Sequence, residues 1–205
     1  MIYKLNGIGY DSNTYLMVGK KNILIDPGTP NTFKLLKDKI SNIAKDIDYV
    51  INTHCHYDHT GSDYLYEEYF NAPVIIHNLE VDDLKNNTNT TVSGLFGKEL
   101  ISPKEIIPIN EISEELKKWD IEIIETPGHT RGSISIIYKD NLITGDTLFA
   151  YGVGRWDFPT GSLVDLRSSI SKLERIAYER NIVNILPGHG ENGNLSAFSN
   201  AKLFL

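Results

Sequence analysis

The chain has 205 residues, 40% hydrophobic and 23% charged, which suits one soluble core near the upper end of ordinary domain size. Its net charge of −7 and pI near 5.3 argue against a nucleic-acid partner, which needs a basic face. No apolar run reaches the length of a membrane span, residues 1–7 lack the pattern of a secretory leader, and a lone cysteine fits a reducing cytoplasm. We therefore expect one cytoplasmic domain over 1–205 with neither a membrane nor a nucleic-acid partner; composition leaves the oligomeric state open.

Residues 2–5 and 14–18 read as strands, and a Gly19-Lys20-Lys21-Asn22 turn leads into Ile23-Leu24-Ile25-Asp26, a hairpin pattern. Asp26 either orients a ligand histidine from behind or simply closes the turn before Pro27. Residues 31–40 predict a helix with Phe33, Leu36 and Ile40 on one stripe. Residues 48–52 predict a buried strand. It runs into Thr53-His54-Cys55-His56-Tyr57-Asp58-His59-Thr60-Gly61, and residues 61–70 predict a helix with Leu65 and Tyr69 at helical spacing. In an extended segment His54 and His56 point one way and Cys55 the other.

A strand over 73–76 leads to His77, read as structural. The polar stretch 86–104 predicts a long loop able to cover a site, with Leu95 and Phe96 as an apolar lid or as core contacts. Residues 119–126 predict a strand delivering His129. Residues 133–138 and 142–144 predict a second hairpin ending at Gly145-Asp146, where a carboxylate is placed to bridge two ions. An irregular loop over 152–161 precedes the clearest helix, 162–180. Ser162 is its N-cap, and Leu163, Leu166, Ile170, Leu173 and Ala177 form its buried stripe. The strand 183–186 delivers His189, and the tail from 191 is too short for a second domain.

Five of the six histidines thus lie at strand ends, in company with Asp58 and Asp146. Imidazole and carboxylate are the usual ligands of zinc and its borderline neighbours. Two clusters facing one hollow suit two ions better than one. Strand groups and helices occur twice in succession, which predicts two sheets packed face to face with helices outside.

These residues resemble the metallo-β-lactamase superfamily over nearly the whole chain. The resemblance rests on His54-Cys55-His56-Tyr57-Asp58-His59, with His129, Asp146 and His189 in order. It implies an α/β sandwich of the αββα type, with two mixed β-sheets. Gly145-Asp146-Thr147-Leu148-Phe149 followed by Gly152-Val153-Gly154-Arg155 is similar to the short, single-domain glyoxalase II branch. That branch implies His54, His56 and His129 on one ion, Asp58, His59 and His189 on a second, and Asp146 bridging. The cofactors implied are two divalent ions, zinc first, with iron or manganese as alternatives.

The implied activity is hydrolysis of S-lactoylglutathione or a related acyl thioester by a metal-bridging hydroxide. Asp58 orients that nucleophile, and Arg155 meets a substrate carboxylate. Full-length glyoxalase II carries a glutathione-gripping C-terminal extension, before which this chain stops, and Asp157 stands where its loop carries a glutathione-contacting tyrosine. The alternative is a mononuclear-iron persulfide dioxygenase, which shares the fold and a similar Gly154-Arg155-Trp156-Asp157-Phe158 loop and would use His54, His129 and Asp146.

Overall fold

The computed structural model describes residues 1–5 and 9–205. Asn6 and Gly7, the end of the stretch read for a leader, lie outside the described residues. The chain forms two compact units, residues 1–113 and 114–205. Each carries one mixed sheet.

The first unit holds a six-stranded sheet in the order β1 (Ile2–Lys4), β2 (Tyr15–Val18), β3 (Asn22–Ile25), β4 (Tyr49–Ile51), β5 (Val74–Ile76), β6 (Ile106–Pro108). The first three strands form an antiparallel meander, as expected for the hairpin, and β3 to β6 run parallel. Parallel strands covered on both faces read as continuous apolar runs. Ile23, Leu24, Ile25, Val50, Ile51 and Val74 to Ile76 are accordingly all buried. Helix α1 (Phe33–Ile43) buries Leu36 and Ile40, as its spacing predicts.

The helix predicted over 61–70 is α3 (Asp63–Phe70), and a short α2 (Tyr57–Thr60) precedes it within the histidine turn itself. Helix α3 buries Asp63 and Tyr66, the latter packed edge-on against Phe33, whereas Tyr69 is exposed. Leu65 is only partly buried, so Tyr66 rather than the Leu65–Tyr69 pair carries the core contact. Helix α4 (Val81–Asn86) follows a 3₁₀ turn capped by His77, whose Nδ1 accepts from the Leu79 amide, consistent with a structural role. Residues 86–104 are not an open loop. Asn87 Oδ1 accepts from both Thr91 Oγ1 and Ser93 Oγ, and two 3₁₀ turns bury Thr90, Thr91 and Ser93. Phe96 packs on Tyr57, which makes it a core contact, while Leu95 is exposed.

The second unit opens with most of α5 (Ser113–Lys118), a short helix that the hydrophobic pattern did not reveal. Its four-stranded sheet has the order β10-β9-β8-β7, from β7 (Glu122–Glu125), β8 (Ile134–Tyr138), β9 (Asn141–Gly145) and β10 (Asn184–Pro187). Strands β7, β8 and β9 are antiparallel in turn, and β10 is parallel to β9. It follows that β7, β9 and β10 all end at the same edge of this sheet. Helix α6 (Leu163–Glu179) has the expected cap, with Ser162 Oγ accepting from the Asp165 amide. Leu166, Ile170, Leu173 and Ala177 are buried as expected, and Leu163 only partly. The tail adds α7 (Ser196–Ala201), whose Ala197, Phe198 and Ala201 join the same core. Among the described residues no helix is long and apolar enough to cross a membrane.

Candidate metal centre

In the first unit the site begins with register. Strands β3 and β4 pair in parallel with Ile25 opposite Ile51, so the residues following each emerge side by side. Asp26 therefore meets Thr53. Its Oδ1 accepts from the Thr53 amide at 2.7 Å, and its Oδ2 accepts from Thr53 Oγ1 at 2.7 Å and lies 2.9 Å from His59 Nδ1. A carboxylate only accepts, so His59 Nδ1 carries the hydrogen and Nε2 keeps its lone pair. The Thr53 hydroxyl has given its one hydrogen to Asp26. Its 3.1 Å contact with His54 Nδ1 must then be a bond donated by the imidazole, which leaves His54 Nε2 with a lone pair as well. One buried carboxylate thus sets the tautomer of two histidines. Asp26 is the orienting residue of the two readings raised from sequence, and it also occupies the left-handed region at φ +50°.

The rings of His54 and His56 lie 4.6 Å apart, and those of His54 and His59 4.1 Å. Asp58 Oδ2 is 3.8 Å from His59 Nε2. His54, His56 and His59 are buried. Cys55 points away from them into the apolar core with Leu24, Tyr57 and Val74. Burial pushes its thiol well up, with Glu80 and Asp83 adding to the shift.

In the second unit the shared edge of β7, β9 and β10 delivers His129, Asp146 and His189. Pro187 lies opposite Gly145, and the Gly188 amide donates to Gly145 O at 2.8 Å, which sets His189 beside Asp146. Asp146 Oδ2 is 3.5 Å from Nε2 of His129 and 3.5 Å from Nε2 of His189. His129 Nδ1 donates to the Arg155 carbonyl at 2.6 Å, so its Nε2 also presents a lone pair. That approach needs glycine at 154. A Cβ there would stand 1.8 Å from Asp146 O and 3.0 Å from His129 Nδ1.

The metallo-beta-lactamase superfamily model matches residues 7–189, nearly the whole chain. The chain belongs to the metallo-beta-lactamase superfamily. A probable metallo-hydrolase of Methanocaldococcus jannaschii is 65% identical over 206 positions that span all of both chains. The cytoplasmic isozyme of hydroxyacylglutathione hydrolase from Saccharomyces cerevisiae is 31% identical, over 92% of this chain and 66% of that protein. A protein solved in a di-iron-bound form shares the fold with a TM-score of 0.82 at 23% identity, covering 99% of this chain and all of that one. Metallo-hydrolase is the class common to the family match and the first of these relatives. The donor sets fit that class: lone pairs on the Nε2 atoms of His54, His59 and His129, with the Asp58 and Asp146 carboxylates beside them, are what borderline divalent ions take.

Arg155, expected from sequence to meet a substrate carboxylate, is engaged within its own loop. Its guanidinium forms a two-pronged pair with Asp157, at 2.8 and 2.7 Å, and lies 4.1 Å over the Phe158 ring. Its contribution to the half-site is its carbonyl, a backbone role that no sequence pattern announces. Asp63, which sequence reasoning passed over, lies fully buried at the start of α3 and accepts from Asn52 Nδ2 at 2.6 Å.

Proposed function

We propose that the two half-sites serve one binuclear centre and that the protein hydrolyses acyl thioesters there. In this reading His54, His56 and His129 would hold one ion, Asp58, His59 and His189 would hold a second, and Asp146 would serve both. The observation that carries it is Asp146 Oδ2 standing 3.5 Å from both His129 and His189, two histidines assigned to different ions. Divalent ions held in this way bring the pKa of bound water toward neutrality and polarise a carbonyl oxygen.

The chain's own residues do the rest. Asp26 and the Arg155 carbonyl keep Nε2 of His54, His59 and His129 available. Asp58, at the mouth of the first half-site, orients the attacking water. A thiol leaves as thiolate, since its pKa is about 8.5, so no general acid is required. Tyr57, the nearest phenol in sequence, does not supply one: its ring packs on Phe96, and desolvation raises its hydroxyl above the usual tyrosine value. The likeness to a hydroxyacylglutathione hydrolase supports the thioester reading. The Arg155–Asp157 pair bears on the substrate, because a substrate carboxylate has to displace Asp157 from the guanidinium.

The test is thiol release from S-lactoylglutathione and simple acyl thioesters by protein loaded with zinc, iron or manganese, in air and under argon. Equal rates in both atmospheres are expected. Cleavage of no thioester with any metal, together with oxygen uptake on a persulfide, would replace this reading with the dioxygenase.

A further inference from the structure

A cavity of about 250 Å³ opens beside His189 within the second unit, walled by Phe149, Ala150, Tyr151, His189, Gly190 and Glu191. The Phe149 ring stands edge-on to the His189 imidazole, 6.1 Å between centroids, and Tyr151 is 72% exposed at the rim. Gly190, at φ +75°, turns the chain away, and a Cβ there would meet nothing within 4 Å, so the wall stays open. Among the described lining residues Glu191 carries the only fixed charge, and no lysine or arginine lines the cavity. The volume falls below the roughly 300–1,000 Å³ of sites that enclose a whole drug-sized ligand, so it seats one arm of a substrate. That arm lies against His189, whose Nε2 is 3.5 Å from Asp146 Oδ2, hence next to the reacting centre.

We propose that this cavity is a substrate subsite for a neutral apolar group, and that Glu191 excludes substituents bearing a carboxylate. The proposal rests on the thioesterase reading for its substrate class. It makes the protein a hydrolase of neutral thioesters with a short aliphatic or aromatic arm. The Arg155–Asp157 pair acts in the same direction, since it leaves no uncommitted guanidinium on that loop for an anion.

Two series of thioesters test it on the zinc-loaded protein: one lengthens the acyl group from acetyl to hexanoyl, the other lengthens a neutral thiol. In at least one series kcat/KM should rise about fourfold per methylene and then level off. A terminal carboxylate on that arm should cancel the gain. Glu191→Lys should raise the carboxylate-to-neutral ratio of kcat/KM about fivefold at low salt and less at high salt. Tyr151→Ala should flatten the length dependence. Glu191 and Tyr151 are both exposed, so neither change threatens folding. In parallel, hexanamide should shift the amide resonances of Gly152 and Gly190, and 6-amino-6-oxohexanoate should not.

Thioester cleavage with flat length dependence in both series, and a ratio that Glu191→Lys moves less than twofold, would overturn the subsite while leaving the thioesterase reading intact. If no thioester is cleaved, that reading falls, and the amide titration decides the cavity: selective shifts by hexanamide uphold an apolar subsite, and their absence overturns it.

Discussion

Asp26→Asn is the sharpest test of how the first half-site is built. Asn tolerates the left-handed backbone better than most residues, so the change isolates the hydrogen bonds from the φ of +50°. The wild-type carboxylate accepts three bonds, from the Thr53 amide, Thr53 Oγ1 and His59 Nδ1. An amide has one oxygen, which can keep the Thr53 amide. Its NH₂ then faces the Thr53 hydroxyl and the His59 Nδ1–H, two donors that the carboxylate oxygen had satisfied. Bonds to a charged group are worth about 1.5–3 kcal/mol each, so two of them set a ceiling of roughly 3–6 kcal/mol. Rotation of the Thr53 hydroxyl recovers part of this, and we expect the metal-free protein to lose about 2–4 kcal/mol in urea unfolding. The tautomer matters more for function. To accept from the amide, His59 must move its hydrogen to Nε2, and the Thr53 hydroxyl hydrogen, freed from residue 26, can turn to His54 Nδ1 and favour the same change there. Affinity for zinc, measured by competition with a chromophoric chelator, should fall 10- to 100-fold. A variant within 0.5 kcal/mol of wild type, binding metal within twofold, would refute the carboxylate-set tautomers.

In the second half-site the backbone is the partner, so Gly154→Ala should lower metal affinity at least tenfold and cost about 1–3 kcal/mol or more by overpacking against Asp146 O. Arg155→Ala should change metal affinity less than twofold; chelator competition and urea melts on both variants check the contrast. Asp63 gives a pH effect of defined sign. Burial holds its carboxyl well above the usual carboxylate range, with Asp26 adding to that shift and Asn52 opposing it. A group with a raised folded pKa binds its proton more tightly in the native state. Stability of the metal-free protein therefore declines as pH rises from about 4, the unfolded value, toward the folded one. Asp63→Asn, which keeps an acceptor for Asn52 Nδ2, should remove that decline and raise Tm near pH 8 by a few degrees; a variant melting below wild type at every pH would contradict it.

The candidate ligand residues are legible because their chemistry and their strand ends are both local: a buried apolar run stops, a turn follows, and the histidine stands on it. The same locality made α6 readable, with Ser162 as cap and four of five stripe positions buried. What escaped depends on register or on backbone. Asp26 could be either an orienting carboxylate or a turn residue until the pairing of Ile25 with Ile51 set it beside Thr53. Strand β6 has three half-buried residues and α5 six mostly charged ones, so neither carries an apolar period long enough to read. Leu65 and Tyr69 stand at helical spacing, yet the aromatic side chain that α3 turns inward is Tyr66, a choice that packing against Phe33 makes and local spacing does not.

The two half-sites solve one problem by different means, and the difference bears on what sequence can vary. An imidazole that is to offer Nε2 to a metal ion must carry its hydrogen on Nδ1, and something must accept it. In the first unit that acceptor is a side chain, so position 26 carries the chemistry in its own identity and cannot drift. In the second unit it is the carbonyl of residue 155, which every residue possesses; the constraint passes to position 154, where only the absence of a side chain lets the loop approach Asp146 and His129. Position 155 is thereby released from the metal centre and open to use toward the substrate. Here that freedom is spent on a pair with Asp157 and a stack on Phe158, which stiffens the loop that holds His129 and leaves the guanidinium neutralised. On the thioesterase reading proposed above, a chain with the same histidines and carboxylates and a different residue at 157 would present an open arginine and should prefer anionic substrates.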